Sequence, residues 1–105
     1  MSTIELQQTE AQFQQAVIDL ARACGWLVYH TLISRGSEPG FPDLVLVRGE
    51  ILIFAELKTE KGRISTAQCD WIEALSRSAL AAGDHVTVRL WRPSDWPEIE
   101  RMLAR

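Results

Sequence analysis

Two runs of strand-forming residues joined by a two-residue turn place the strongest constraint on how this chain can fold. Residues 43–48 and 51–58 are rich in Leu, Val, Ile and Phe, and only Gly49 and Glu50 lie between them. Apolar runs of this length separated by two residues that include Gly are typical of a β-hairpin. The sequence therefore predicts an antiparallel pair of strands near the middle of the chain.

Helical and strand patterns flank this hairpin on both sides. Apolar residues recur at helical spacing before it and in a longer segment after it, and further β-rich runs alternate with them. The predicted elements are a helix over about residues 5–24, a strand over 26–33, the hairpin, a helix from Ser65 to Gly83, a strand over 85–91 and a short helix from Asp95. The order α-β-β-β-α-β-α indicates an α/β layer fold.

Length and composition fit one globular domain. The chain has 105 residues, of which 47% are hydrophobic and 24% charged, and we predict a single domain over residues 1–105. Its first residues lack a basic start followed by an apolar run, and no apolar run is long enough to cross a bilayer. We therefore expect a cytoplasmic protein with no membrane partner.

The charge balance argues against a protein that coats nucleic acid. The formal net charge is −3, whereas sequence-independent DNA binders are usually basic. It argues less against a nuclease, because a bound divalent cation offsets acidic residues gathered at a site. The lysines are also unevenly placed, since Lys58 and Lys61 are the only two in the sequence.

Two carboxylates are expected to meet across the hairpin. If Gly49 and Glu50 form the turn, Asp43 lies directly opposite Glu56, with Cβ atoms about 4.5–5.5 Å apart. Carboxylates that close repel each other unless a positive group lies between them, and a divalent cation takes oxygen ligands readily. A turn at Arg48 and Gly49 would instead pair Asp43 with Phe54 and leave the two acids diagonal.

Three further residues are expected near this pair. Period-2 alternation places Lys58 on the same face as Glu56 and Leu57 on the opposite face, which leaves the Leu57 carbonyl available near a metal. Glu10 lies on the apolar stripe of the first helix, where a carboxylate is costly unless it is paired or metal-bound. The alternatives are that Glu10 sits at an exposed helix start and that Asp43, Glu56 and Lys58 form a solvated ladder of salt bridges.

A family resemblance enters through these residues. Pro42-Asp43, twelve intervening residues and Glu56-Leu57-Lys58 resemble the PD-(D/E)XK nuclease motif. The flanking segments make the match more specific and are similar to the VRR-NUC family. They read Gly-Phe-Pro-Asp-Leu-Val-Leu over residues 40–46 and Glu-Leu-Lys-Thr-Glu-Lys-Gly-Arg-Ile-Ser over residues 56–65, followed by Gln68. The position of Glu10 also matches an acidic residue of that family's first helix.

The resemblance implies a restriction-endonuclease-like fold, with a mixed β-sheet flanked by helices, and DNA phosphodiester cleavage that depends on Mg²⁺ or Mn²⁺. It implies that the catalytic residues are Asp43, Glu56, Lys58, Glu10 and Gln68, with metal ligands from Asp43, Glu56, Glu10 and the backbone carbonyl of Leu57. Stand-alone members, often from phages or bacteria, resemble Holliday-junction resolvases that act as homodimers. Branched DNA and a second copy of the chain are then the expected partners, inside a bacterial host cell if the protein is phage-encoded.

Basic residues beside the motif are candidates for DNA contacts. Lys61 and Arg63 follow the second hairpin strand and Arg35 precedes the first, where they are expected to bind phosphate oxygens; a solvated loop is the alternative. Gln68 has two possible roles, because its side chain can close the capping box with Ser65 or face the site.

Two other functions fit the same motif. One is a flap nuclease, or another structure-selective nuclease, that acts as a monomer. The other is a DNA-binding or partner-binding module that keeps the fold without cleaving. The complete set of Asp43, Glu56, Lys58 and Glu10 favours cleavage.

Overall fold

The computed structural model describes residues 8–31 and 38–105. Its elements are helix α1 (Glu10–Ala23), strands β1 (Leu27–His30), β2 (Leu44–Arg48) and β3 (Ile51–Leu57), helix α2 (Thr66–Ala82), strand β4 (Val86–Trp91), a 3₁₀ turn (Pro93–Asp95) and helix α3 (Trp96–Ala104). The predicted order α-β-β-β-α-β-α is confirmed. The predicted start of the first helix and end of the first strand lie outside the described residues.

The four strands form one mixed sheet in the order β1-β2-β3-β4. The first three are antiparallel to their neighbours, and β4 runs parallel to β3 after the crossover through α2. In the hairpin, Arg48 pairs with Ile51, so Gly49 and Glu50 are the turn residues, as predicted. The other register is wrong, because Phe54 pairs with Val45.

The main core lies between the sheet and the pair α1 and α3. Alternate residues of β3 point into it, and the side chains that form it come from both helices and from the neighbouring strands. The buried cluster comprises Phe13, Val17, Ile18, Ala21, Trp26, Leu44, Leu46, Ile53, Ala55, Leu57, Trp91, Ile99 and Leu103. This packing fixes the position of β3 along its neighbouring strands. It therefore also fixes the β3 residues whose side chains point to the opposite face of the sheet.

The opposite face of the sheet is covered by α2 and the loop before β2. The ring of Phe41 packs edge-on against Phe54, with ring centres 6.2 Å apart, and against Trp71 of α2, at 5.1 Å. Because side chains alternate along a strand, Glu56 and Lys58 lie on the same face as Phe54. The alternation of side chains along β3 thus places the apolar Leu57 on one face of the sheet and two charged residues, Glu56 and Lys58, on the other.

Arg48 ties the hairpin to the ends of two helices. Its guanidinium donates hydrogen bonds to the carbonyls of Cys24 (2.9 Å) and Leu103 (2.8 Å) and also bonds the Arg105 carbonyl. It stacks over the Trp26 ring at 4.5 Å, a favourable cation–π geometry.

No helix in the described ranges is long and apolar enough to span a bilayer.

Candidate active site

Glu56 is a buried carboxylate at the end of β3. It is 1% exposed, and neither side-chain oxygen has a hydrogen-bond partner among the described residues. Burial and, after it, the adjacent Asp43 together raise the pKa of the Glu56 carboxyl to about 9. Lys58 opposes the rise and Glu10 adds to it. A buried acid with this deficit of partners is costly unless a positive group joins it.

Asp43 lies one residue before β2, directly across from Glu56. Leu44 pairs with Ala55 at the end of the ladder, and one step further along brings Asp43 beside Glu56. The Oδ2 atom of Asp43 accepts a hydrogen bond of 2.8 Å from the backbone N–H of Leu57. The Asp43 carboxylate therefore extends the pairing of the two strands just before β2 begins, and this bond fixes its orientation toward β3.

Thr31 holds the backbone on the other side of Asp43. Its N–H donates to the Asp43 carbonyl at 2.8 Å, and its hydroxyl donates to the Pro42 carbonyl, also at 2.8 Å. Together with the Leu57 bond, these contacts place the Asp43 segment between two neighbouring strands. Two acids from adjacent strands are thus held on one face, as the hairpin register predicted.

Lys58 is the third charged residue of this group. Its backbone N–H donates to the Trp91 carbonyl at 3.0 Å, which continues the pairing of β3 with β4. Its side chain is only 14% exposed, and its Nζ atom lies 3.9 Å from Oε1 of Glu10. The Lys58 amine is therefore largely buried next to the two carboxylates.

Glu10 differs from its expected setting. It is the first residue of α1, after a capping box formed by Thr9 and Gln12, and its side chain is 52% exposed. The expectation of a carboxylate on the buried face of the helix is wrong, because the first turn projects beyond the core. In the described part of the chain no three His, Cys, Asp or Glu side chains converge, so Glu10 faces Lys58 instead of joining Asp43 and Glu56.

Gln68 forms the capping box that its position predicted. The Ser65 hydroxyl accepts from the Gln68 N–H at 3.1 Å, and Oε1 of Gln68 accepts from the Ser65 N–H at 2.9 Å. This cap uses the oxygen of the side-chain amide, so its nitrogen can donate to a group at the site. Gly40 brings the loop before Asp43 against this turn: a Cβ on Gly40 would lie 2.4 Å from the Ala67 carbonyl carbon.

The two described basic candidates lie on one loop. Lys61 and Arg63 are exposed in the segment between β3 and α2, whereas Arg35 lies outside the described residues. Leu57 is fully buried, as expected of the anchor, and a role for its carbonyl as a ligand stays a prediction. Arg92 was not among the predicted site residues, yet its guanidinium donates hydrogen bonds to three carbonyls of the Lys61 loop. An arginine just after a strand carries no local signal for such a contact.

The donor set fits a hard divalent cation. Carboxylate oxygens are the ligands that Mg²⁺ and Mn²⁺ prefer, and Glu56 contributes two buried oxygens that have no partner within residues 8–31 and 38–105. A cation beside Asp43 and Glu56 would stabilise the ionised form of both carboxylates and complete the bonding of Glu56. Lys58, on the same face, is a second positive group at which a phosphate oxygen can bind.

Comparisons with known proteins bear on the family and on the fold. The family model described as VRR-NUC domain matches residues 5–89. Two solved structures are similar to the chain. One, titled "VRR_NUC domain protein", has a TM-score of 0.64 and 19% identity, covering 91% of this chain and 88% of its own. The other, titled "VRR_NUC domain", has a TM-score of 0.62 and 23% identity, covering 90% and 94%. A search of curated proteins finds no match.

Proposed function

The chain belongs to the VRR-NUC domain family, a nuclease-type domain, and we propose that it is a Mg²⁺- or Mn²⁺-dependent DNA endonuclease that acts on branched DNA, such as a Holliday junction, as a homodimer. The observation that carries the proposal is the buried Glu56 carboxylate, which has no partner among the described residues and lies across from Asp43. A buried carboxyl without a partner is costly to keep in a folded protein unless a ligand joins it.

In this proposal Asp43 and Glu56 hold the ion, with the Leu57 carbonyl as a further ligand. A divalent ion bound there would polarise the scissile phosphate and lower the pKa of a bound water. The bond from the Leu57 N–H keeps Asp43 turned toward Glu56. Preorganisation of this sort matters because ligands held in place need no rearrangement when the substrate arrives.

Lys58 is proposed to stabilise the charge that develops on the phosphate or to position the attacking water. Its position 3.9 Å from Glu10 supports a role for Glu10 in orienting the amine, besides a contact to the ion through water. Gln68, in the first turn of α2, is proposed to donate its amide N–H to the site while its oxygen caps the helix. Groups aimed at the developing charge usually supply a large share of catalysis.

DNA binding is proposed to rest on the basic loop between β3 and α2. Lys61 and Arg63 are exposed there, within five residues of Lys58, and phosphate contacts position a duplex without reading its sequence. Arg35 is proposed as a further phosphate contact. Because the whole chain carries a net charge of −3, binding depends on these few local cations and weakens steeply with salt.

A homodimer would supply the two active sites that paired cuts at a junction require. Edge strand β1 supports self-association, because Leu27 and Tyr29 point to one face and are 75% and 62% exposed. The strand Leu-Val-Tyr-His contains no Pro or Lys, the residues that commonly protect a sheet edge from pairing.

The cleavage test compares wild type with Asp43→Asn, Glu56→Gln and Lys58→Gln on four-way junction and linear duplex DNA. With Mg²⁺ or Mn²⁺ the wild type should cleave, and EDTA should abolish cleavage. Each of the three substitutions should lower kcat by about 100-fold or more, since each removes a group that acts on the reacting phosphate. Glu50→Gln, in the exposed hairpin turn, is the matched control and should cleave normally. Full activity in Asp43→Asn or Glu56→Gln would disprove the mechanism.

A further inference from the structure

Arg92 bonds several carbonyls of one loop at once. Its Nη1 atom lies 2.6 Å from the Thr59 carbonyl oxygen, 2.8 Å from that of Gly62 and 3.3 Å from that of Glu60. The residue is half-buried directly after β4, and its backbone N–H donates to Asp95 at 2.8 Å. The 3₁₀ turn therefore fixes the base of the side chain while its guanidinium fixes the loop.

The same loop has a second attachment to the 3₁₀ turn. Oε2 of Glu60 accepts a hydrogen bond of 3.1 Å from the Ser94 N–H. Within the loop, the Gly62 N–H donates to the Thr59 carbonyl at 3.2 Å, and a Cβ on Gly62 would lie 2.9 Å from the Thr59 hydroxyl oxygen. The loop is thus a tight turn held from one side, and it presents Lys61 and Arg63 outward.

We propose that Arg92 is a positioning residue for DNA binding: it holds the segment 59–63 in the shape that sets Lys61 and Arg63 against the DNA backbone. This inference rests on the proposed function. A lysine would carry the same charge, but an ammonium on a flexible stem lacks the planar fork of the guanidinium and fixes neighbouring groups less well. Geometry and charge at this position can therefore be separated by experiment.

The first experiment compares wild type with Arg92→Lys and Arg92→Ala by hydrogen exchange and by cleavage kinetics. In both variants we expect faster exchange of the amides of residues 59–63 and a KM for four-way junction DNA raised about 5-fold or more, as phosphate contacts are lost. The value of kcat at saturating DNA should stay within about 2-fold, because Asp43, Glu56 and Lys58 are untouched. Arg77→Lys, on the exposed face of α2, is the matched control and should change neither quantity.

The second experiment is a double-mutant cycle with Lys61→Ala/Arg63→Ala. If Arg92 acts through the loop, adding Arg92→Lys to this pair produces no further rise in KM, because the contacts it positions are already absent. The Lys61→Ala/Arg63→Ala pair should reduce the slope of log affinity against log salt concentration by about 2, because two phosphate contacts are lost. Arg92→Lys keeps the charge at residue 92, so its charge alone would leave this slope unchanged. We expect the slope to fall in Arg92→Lys because Lys61 and Arg63 lose their positions.

The outcomes separate the two proposals. An Arg92→Lys protein with wild-type exchange and wild-type KM would overturn the positioning role, and so would fully additive effects in the cycle. A wild type that does not cleave any DNA would overturn the proposed function. The hydrogen exchange of residues 59–63 would still decide in that case whether Arg92 holds the loop.

Discussion

The Glu56 carboxylate lies where a folded protein ordinarily places an apolar side chain. Its two neighbours along β3, Ala55 and Leu57, are core residues that point the other way, so the strand cannot shift to expose Glu56 without exposing them. Burial is thus imposed on the acid by the packing of the opposite face. Burying the Glu56 carboxylate without a partner costs free energy. A cation that binds Glu56 removes this cost, so the burial favours cation binding.

The raised pKa of Glu56 predicts how stability changes with pH. Between about pH 4.5 and pH 9 the folded protein holds a proton on Glu56 that the unfolded chain has released. The stability of the metal-free protein should therefore fall as pH rises through this window, by at most about 1.4 kcal/mol per pH unit from this group. Urea unfolding in EDTA at pH 6 and pH 8 measures the change.

Two comparisons isolate Glu56 as the source. Glu56→Gln should be more stable than wild type at pH 8 without metal and should lack this part of the pH dependence, whereas Glu50→Gln, at the exposed turn, should behave as wild type. Added Mg²⁺ should stabilise wild type more at pH 8 than at pH 6, since the ion and the proton compete for the same oxygens. Equal slopes in wild type and Glu56→Gln would contradict the assignment.

At this scale the sequence predicted which acids would meet but not how deeply each would be buried. The turn at Gly49 and Glu50 was enough to bring Asp43 opposite Glu56, because hairpin register follows from turn length. The exposure of Glu10 depends on where α1 extends beyond the core. The spacing of apolar residues along the helix does not show where this happens. Arg92 acts through contacts about thirty residues away in sequence, which local patterns do not encode.

Among the elements, α2 links the fold to the site most directly. Its first turn carries the Ser65–Gln68 capping box and lies against the loop that leads to Asp43, where Gly40 leaves no room for a side chain. The helix is also the crossover that makes β4 parallel to β3. One capped helix end therefore fixes the position of Gln68 relative to the acids.

Substitutions in this cap separate its two roles. Ser65→Ala removes one cap bond and should cost about 1 kcal/mol of stability while leaving cleavage intact. Gln68→Glu keeps an oxygen that can accept from the Ser65 N–H, since Glu serves equally in a capping box, so stability should be retained. Its cleavage should fall about 10-fold or more because the amide donor is gone.

Urea unfolding and cleavage of junction DNA, measured on the same preparations, test this prediction. If Gln68→Glu cleaved at the wild-type rate, Gln68 would be a helix cap and nothing else.

The element order was predictable because each element carries a local signal: the two-residue turn, the capping residues Ser65 and Gln68, and Gly83, which ends α2 with a φ of +84°. The parallel placement of β4 and the contacts of Arg48 with the ends of α1 and α3 were not, since they arise from tertiary packing. The register of the hairpin was the one long-range feature of the site that local sequence could fix.

At the scale of the whole molecule, the net charge is −3 and the core is small. In the proposed function, DNA affinity therefore depends on a few local cations and on assembly of two copies. A junction nuclease needs two sites in a fixed relation, and a two-fold dimer provides them. The exposed Leu27 and Tyr29 on the edge strand β1 are the apolar surface proposed to serve this purpose.

Sedimentation with a four-way junction tests the assembly. We expect two copies of the wild-type chain per junction and symmetric cuts, and we expect Leu27→Lys/Tyr29→Lys to sediment as a monomer, because two charges at a sheet edge oppose pairing. Leu80→Lys changes a leucine of α2 that is 87% exposed and serves as the control, with no effect on assembly. A wild type that stays strictly monomeric and prefers flap DNA would contradict the homodimeric junction nuclease.

The measurement that bears most directly on the central claim is a calorimetric titration of the protein with Mn²⁺ near pH 7.5. Wild type should bind the ion, Asp43→Asn and Glu56→Gln should bind it at least about 10-fold more weakly, and Lys58→Gln should keep binding it even though cleavage is lost. Wild-type affinity in Glu56→Gln, or no binding by wild type at millimolar Mn²⁺, would show that these two carboxylates do not form a metal site.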